Sequence, residues 1–160
     1  MKLANNIYIT VFRDETEDEN EILEKLKGLM PFDIEEEKIK IEKRKHEKNE
    51  QKTIFVYQIT LSKQRHTNAF IEKLIEELSE KAKDDLITQC RTRTDDDCNF
   101  FLRLDKEKFY DDSKCELTEK GSCFHIKMNL ALFPKKKKKQ ENLLKKYLNR
   151  KRNKIYNGRY

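Results

Sequence analysis

The longest regular alternation of apolar and polar residues in this chain runs from Cys123 to Phe133. Its apolar positions are Phe124, Ile126, Met128, Leu130 and Leu132. A period of two places these side chains on one face of an extended strand. The pattern therefore predicts a central β-strand, which ends at Pro134 because proline lacks the backbone N–H that a sheet uses.

Four other segments have the pattern of strands. They are Asn6 to Arg13, Glu37 to Arg44, Thr53 to Leu61 and Phe100 to Leu104. In the first of them both faces carry large side chains, which indicates that both faces are substantially covered. The second and third flank the polar stretch HEKNEQK, which favours a hairpin that turns within this stretch.

Helical patterns lie between and after these strands. Thr16 and Glu19 have the spacing of a capping box and predict the start of a first helix. An apolar stripe with helical spacing runs from Phe70 toward Leu86 and predicts a second helix. A brief helical turn is predicted at Asp105 to Tyr110, and a last helix from Lys136 to about Lys154.

This order of elements predicts an α+β fold, with a mainly antiparallel sheet of about five strands and helices packed on one face. The regular strand–helix–strand alternation of a doubly wound sheet is missing. We expect residues 1–134 to form the α+β domain and residues 135–160 to form a basic C-terminal helix and tail.

Charge is distributed unevenly along the chain. The net charge of +6 divides into +11 for residues 135–160, which hold twelve Lys and Arg against Glu141, and −5 for residues 1–134. A basic segment on a mildly acidic body predicts a polyanionic partner. Nucleic acid is favoured over a membrane surface, because the apolar stripe of this segment is short and lacks Trp or Phe.

Several classes of protein are disfavoured by the sequence. No apolar run approaches the ~20 residues of a membrane span, and the N-terminal residues lack the pattern of a signal peptide, so a cytoplasmic location is expected. No Gly-rich phosphate loop, GxSxG or HExxH motif is present. We therefore predict neither enzymatic activity nor a cofactor. Abundant Lys, Glu and Ile with few Gly and Pro are typical of a thermophile.

Two sets of basic residues are candidates for nucleic-acid contacts, since cations neutralise phosphates and release counterions. The tail set, interleaved with Tyr147 and Tyr156, comprises Lys135, Lys136, Lys137, Lys138, Lys139, Lys145, Lys146, Arg150, Lys151 and Arg152. The second set, at predicted strand ends and loops, comprises Arg44, Lys45, Lys63, Arg65, Arg91, Arg93 and Arg103. His46, His66 and His125 are expected on the surface or on a binding face.

The four cysteines, at positions 90, 98, 115 and 123, do not form a CxxC zinc knuckle. We interpret them as buried free thiols, with disulfides or a metal site as the alternatives. Asp95, Asp96 and Asp97 are interpreted as a solvated loop rather than a magnesium site.

Two longer stretches resemble a known family. NNIYITVFRDETEDENEILEKLKGLMP and FFLRLDKEKFY, with a later strand ending in ALFP, are similar to archaeal RNA-binding proteins described as predicted exosome subunits. The resemblance covers roughly residues 5–148 and implies a fold like the large-subunit ribosomal protein numbered five. The matching motif residues are Thr16, Glu17, Asp18, Glu19, Arg103, Asp105 and Lys106. The Gly-Asn-Pro turn of the family is replaced here by EKNEQK.

These observations predict an RNA-binding protein that acts as an accessory factor in RNA processing or degradation or in ribosome-related work. The tail would supply sequence-independent affinity, while the loop arginines with Arg103 and Lys106 position the RNA backbone. The alternative is a non-catalytic subunit of a larger complex, such as one of RNA processing, docked through Leu143, Leu144, Tyr147 and Leu148.

Overall fold

In the computed structural model, the described residues are 1–49, 52–106, 115–119, 121–132 and 136–157. They form one antiparallel sheet of five strands and four helices. The strands are β1 (Ala4–Asp14), β2 (Glu42–Lys48), β3 (Lys52–Leu61), β4 (Asn99–Asp105) and β5 (Cys123–Leu130). The helices are α1 (Glu19–Gly28), α2 (Gln64–Glu77), α3 (Glu80–Thr88) and α4 (Lys137–Asn157). The strand order β2-β3-β1-β5-β4 confirms the predicted α+β class.

One face of the sheet forms the core. The register of β3, β1, β5 and β4 aligns alternate residues into three continuous rows. The rows are Leu61–Ile7–Met128–Phe100, Ile59–Ile9–Ile126–Leu102 and Tyr57–Val11–Phe124–Leu104, and all twelve residues are buried. Burial of one such side chain contributes about 1.5–3 kcal/mol. The apolar residues whose alternation predicts β5 therefore lie on the core face of the sheet.

The helices cover this face. Ile22 and Leu26 of α1 and Phe70 of α2 are buried in the core. α4 packs on α2 and α3, with Leu148 buried against the same core. In the apolar stripe of α4, Leu148 is buried, and Leu143, Leu144 and Tyr147 are partly buried against the rest of the chain, so part of the surface that the protein-interaction alternative requires is used within the chain.

The helix boundaries differ from the predicted ones in two places. Asp18, not Thr16, caps α1, since its Oδ1 accepts hydrogen bonds from the backbone N–H of Asn20 and Glu21 at 2.8 and 3.2 Å. The stripe from Phe70 toward Leu86 is buried as expected but belongs to two helices. Ser79 separates them by capping α3, where its hydroxyl accepts from the N–H of Ala82 at 3.1 Å.

The second strand also lies elsewhere than predicted. β2 spans Glu42–Lys48, so it includes the first part of HEKNEQK, and its pairing with β3 continues as far as Lys48 opposite Lys52. Residues 34–38 form a turn instead of a strand, because Asp33 accepts hydrogen bonds from the N–H of Glu35 and Glu36 and Lys38 has a φ of 56°. The predicted helical turn at 105–110 and the predicted strand end at Phe133 and Pro134 fall largely outside the described residues.

Candidate nucleic-acid interface

The second face of the sheet carries none of the four described helices. Side chains from four strands line a groove of about 600 Å³ on this face. We call it the open face and define it by Tyr8, Thr10, Phe12, Gln58, Phe101, Arg103, His125 and Lys127. The expectation that both faces of β1 are covered is thus wrong, because Phe12 is 43% exposed.

The strand register fixes which side chains are neighbours on the open face. Thr10 of β1 lies opposite Gln58 of β3 and opposite His125 of β5, and His125 in turn lies opposite Arg103 of β4. In the next row Tyr8 lies opposite Lys127, which lies opposite Phe101. Facing side chains on adjacent strands are about 4.5–5.5 Å apart at Cβ, so each cation lies beside an aromatic or polar group.

Aromatic rings dominate the apolar part of this surface. The Lys127 ammonium lies 5.6 Å from the ring centroid of Tyr8 and 6.0 Å from that of Phe101. The Phe12 ring meets His125 edge to face, with centroids 5.2 Å apart. Among the described residues, the exposed large apolar side chains are Met1, Phe12 and Phe101. Two of the three therefore lie on the open face, and apolar surface concentrated there is typical of a binding site.

The open face is electrostatically favourable to an anion. Among the described residues, those that line it include Arg103 and Lys127 and no carboxylate. Arg103 is exposed, and its Nη1 donates a hydrogen bond to the backbone carbonyl of Glu119 at 3.1 Å, a neutral acceptor that does not cancel the positive charge.

His125 lies beside these cations and is half-buried. Burial, and secondarily the charge of Arg103, lowers the pKa of His125 from its ordinary value of 6.5. Its imidazole is therefore neutral at pH 7 and has one donor and one acceptor nitrogen. His125 Nε2 lies 3.5 Å from the Cys123 thiol, whose pKa burial raises.

The structure separates the predicted basic residues into groups. Arg103 lies on the open face, and Arg44 extends that face, because it is opposite Val56, which is opposite Phe12. Arg44 is exposed and paired with Glu42 at 3.4 Å. Arg93 lies beside the groove, because its Nη1 donates a hydrogen bond to the backbone carbonyl of Phe101 at 3.4 Å and it lines a neighbouring pocket with Phe101 and Arg103. The members of the second set that do not line the groove are Lys45 (paired with Glu47), Lys63 and Arg65 (at the start of α2, with Arg65 paired to Glu37) and Arg91.

Lys106 is not a surface residue, which corrects its prediction as an RNA contact. It is 1% exposed, and its Nζ donates hydrogen bonds to the carbonyl of Phe12 at 3.0 Å and to Glu17 Oε2 at 3.2 Å. An amine held in this way cannot reach a phosphate without breaking both bonds. Lys106 instead ties the residue after β4 to β1 and the segment that precedes α1.

Other motif residues of the family resemblance are also structural. Glu19 Oε1 accepts hydrogen bonds from the Tyr57 hydroxyl at 2.9 Å and from Lys43 Nζ at 2.6 Å. The bond from Lys43, followed by that from Tyr57, lowers the pKa of the Glu19 carboxyl. Arg13 Nε donates to the same Tyr57 hydroxyl at 3.0 Å. The Thr-Glu-Asp-Glu stretch thus anchors α1 to the sheet rather than forming a site.

The tail cations lie on the opposite side of the sheet from the open face. The exposed members of this set are Lys136, Lys138, Lys139 and Lys146, while Lys145 is paired with Glu141 at 2.7 Å. α4 packs on α2 and α3, which cover the core side. The structure therefore does not bring the described lysines of α4 and Arg103 into one surface. Lys135 and the side chains of Lys137, Arg150, Lys151 and Arg152 fall outside the described residues.

Sequence reasoning missed Tyr8, Phe12, Phe101 and Lys127. Their strand positions were predicted, and an alternating strand has a second face by definition. The sequence does show that the residues of this second face combine aromatic rings with cations. It does not show that the face is exposed, because exposure depends on where the helices pack.

The four cysteines are buried free thiols, as predicted. Burial raises the pKa of Cys115 to about 12. His46 is exposed, but His66 is only 4% exposed and lies 2.8 Å from Glu37 Oε2, so its placement on the surface was wrong. In the described part of the chain, no group of three or more His, Cys, Asp or Glu residues is arranged to hold a metal, and no helix is long and apolar enough to cross a membrane.

Comparison with known proteins defines the class to which this chain belongs. A family model described as RNA binding matches residues 6–130. Since this match covers well over half of the chain, the chain belongs to that RNA-binding family.

Individual relatives agree with the assignment. The chain is 28% identical over 134 residues to RNA-binding protein PAB1135 of Pyrococcus abyssi, covering 84% of this chain and 86% of the relative. It is 27% identical to Mth689 of Methanothermobacter thermautotrophicus, whose solved structure gives a TM-score of 0.73 over 91% of this chain and 98% of Mth689. AF2318 of Archaeoglobus fulgidus, 22% identical, has the same fold with a TM-score of 0.76 over 89% and 98% of the two chains.

Proposed function

We propose that this protein binds RNA through the open face of its sheet, mainly by contacts between its cations and RNA phosphates. The observation that carries the proposal is the placement of Arg103 and Lys127 beside exposed aromatic rings, in a groove whose described lining residues include no carboxylate. Membership of an RNA-binding family and similarity to a relative named as an RNA-binding protein support RNA as the polyanion.

The exposed lysines of α4 supply a second, weaker attraction from the other side of the molecule. Because they lie on the far side of the sheet, they do not contact the nucleotides held on the open face. They raise the local concentration of RNA through long-range attraction, which salt screens within about 8–10 Å at physiological ionic strength.

The test is a titration of fluorescein-labelled RNA, followed by anisotropy over a series of salt concentrations. Each phosphate contact on a single strand contributes about −0.7 to the slope of log K against log salt. Contacts from Arg44, Arg103 and Lys127 therefore give a slope of about −2. Replacement of Arg103 and Lys127 by Gln should make the slope about 1.4 shallower and weaken binding strongly at low salt.

The matched control replaces two exposed lysines of α4, Lys138 and Lys139, by Gln. It removes the same charge from the opposite side of the molecule and should change the slope by clearly less than the open-face pair. If the α4 pair has the larger effect, the tail is the binding site and the open face is not. Salt-insensitive binding would contradict the phosphate mechanism altogether.

The cellular role we propose is that of an accessory factor in RNA processing or degradation. It rests on the resemblance to proteins described as predicted exosome subunits, which implies an RNA-processing complex as a partner. The rate at which a purified exosome degrades a bound RNA tests it. The intact chain should change that rate, and the Arg103→Gln/Lys127→Gln variant should not.

A further inference from the structure

The aromatic rings of the open face point to a particular class of RNA. We infer that this face binds unpaired nucleotides, with bases stacked on Phe12 and Phe101 and the intervening backbone held by Lys127 and Arg103. This inference rests on the proposed function and specifies its substrate class.

Phosphate binding alone does not explain the rings. Phe12 and Phe101 are 43% and 41% exposed, whereas the alternate residues of the same strands, which form the rows on the other face, are large, apolar and buried. A surface that contacted only phosphates would use polar side chains here. Bases have apolar π-faces, and stacking on an aromatic side chain removes both surfaces from water.

The spacing of the rings suits separate bases. Tyr8 and Phe101 lie on strands that flank β5, so their backbones are about 10 Å apart, and Lys127 lies between them. Phe12 is four residues from Tyr8 on β1, about 13–14 Å along the strand. The groove between these rings thus offers room for two or three nucleotides on a platform of four strands, the size that other sheet-based RNA readers use.

Polar groups that can recognise base edges lie between the rings. Thr10 and Gln58 are directly opposite each other, and the neutral imidazole of His125 adds one donor and one acceptor. A base that stacks on Phe12 comes within reach of His125, because the two rings are already in edge-to-face contact. These groups can bind the Watson–Crick edge of a base only where that edge is unpaired.

Duplex RNA does not suit this surface. Paired bases are stacked on one another, and the major groove of an A-form helix is too deep and narrow for side chains to read. A helix resting on the open face would present its phosphates to Arg103 and Lys127 but leave Phe12 and Phe101 against a charged backbone. Duplex binding is therefore expected to be weaker and independent of the two rings.

The test compares a labelled 12-nucleotide single-stranded RNA with the same strand annealed to its complement, using the full chain and a salt series. Single-stranded RNA should bind at least about tenfold more tightly. Phe12→Leu and Phe101→Leu, which keep an apolar side chain but remove the ring, should each weaken single-strand binding by about 5- to 150-fold. Since stacking releases no counterions, the salt slope should stay the same.

Phe12→Tyr and Phe101→Tyr are the matched controls, because they keep a ring and should keep the affinity for single strands. A 2-aminopurine base in the RNA supplies an independent reading, since its fluorescence should be quenched by the intact chain and less so by the Leu variants. Urea denaturation of each variant establishes that the fold is retained.

The outcomes separate this inference from the proposed function. Equal affinity for single strand and duplex, with no effect of the Leu substitutions, would overturn the stacking inference while RNA binding by cations stands. Absence of binding to either RNA at low salt would overturn both. Loss of single-strand affinity in the Leu variants, with duplex affinity and salt slope unchanged, supports the inference.

Discussion

The two faces of the sheet are made from alternate residues of the same strands, yet they serve different purposes. On the core face Ile7, Ile9 and Val11 are fully buried beneath the helices, whereas on the open face Tyr8 and Thr10 are half-buried and Phe12 is exposed. The core face is almost entirely aliphatic and aromatic, and the open face combines rings with cations. The comparison teaches that helix placement, rather than strand composition, decides which side of this sheet is available to a ligand.

The largest expected effect is on the free energy of unfolding, which should respond much more to a substitution on the core face than to one on the open face. Ile9→Ala removes a fully buried side chain from the middle of a core row and should lower the free energy of unfolding by about 2–5 kcal/mol. Its neighbour Thr10 points to the open face, so Thr10→Ala should cost less than about 1 kcal/mol. Urea denaturation measures both, and similar costs for the two variants would contradict the assignment of the faces.

A buried lysine, Lys106, and an open-face lysine, Lys127, test the same difference between stability and RNA binding. Lys106→Met leaves the Phe12 carbonyl and Glu17 without their buried partner and should lower the free energy of unfolding by about 1–3 kcal/mol. Lys127→Met on the open face should change stability by less than about 0.5 kcal/mol but weaken RNA binding. The pair of variants is compared by denaturation and by anisotropy. Weak RNA binding in a stable, folded Lys106→Met protein would restore Lys106 as a contact residue.

A smaller effect concerns pH and the open face. Because the folded-state pKa of His125 is lowered, the unfolded chain binds its proton more readily as pH falls below about 6.5. Protonation therefore favours unfolding, and part of the stability present at pH 7 is lost toward pH 5.

This loss should be smaller in His125→Gln. The exposed His46 on β2 provides the matched control, and His46→Gln should leave the loss in place. Denaturation at pH 7 and at pH 5.5 checks both variants. If His125→Gln and the unmodified chain lose the same stability, burial of His125 is not responsible.

Much of the fold follows from local patterns, and the exceptions have physical causes. β1, β3, β4 and β5 contain apolar residues at every second position, so the sequence pattern identifies them as strands. β2 reads EKRKHEK and is exposed along its whole length, which removes the apolar signal by which a strand is recognised. Ile39 and Ile41 alternate and pack against the core, but they precede the strand and follow a turn set by Asp33 and Lys38.

The candidate site was harder to predict than the fold. Arg103 was identified from its charge and position, whereas Phe12 lies in a strand whose two faces were both expected to be covered, and the apolar character of Phe101 gives no sign of exposure because such side chains are normally buried. Their exposure depends on four helices all packing on one side, which is a property of the tertiary structure. The lysines after Pro134 gave the strongest compositional signal, yet composition does not tell on which side of the sheet α4 lies.

The central claim is that RNA lies on the open face. The most direct measurement is a titration of isotope-labelled protein with a 12-nucleotide single-stranded RNA, followed by backbone and aromatic NMR shifts. We predict that the largest changes occur at Tyr8, Phe12, Phe101, His125 and Lys127, with small changes along α4. Changes concentrated at Lys136, Lys138, Lys139 and the rest of α4, with the open face unaffected, would contradict the account.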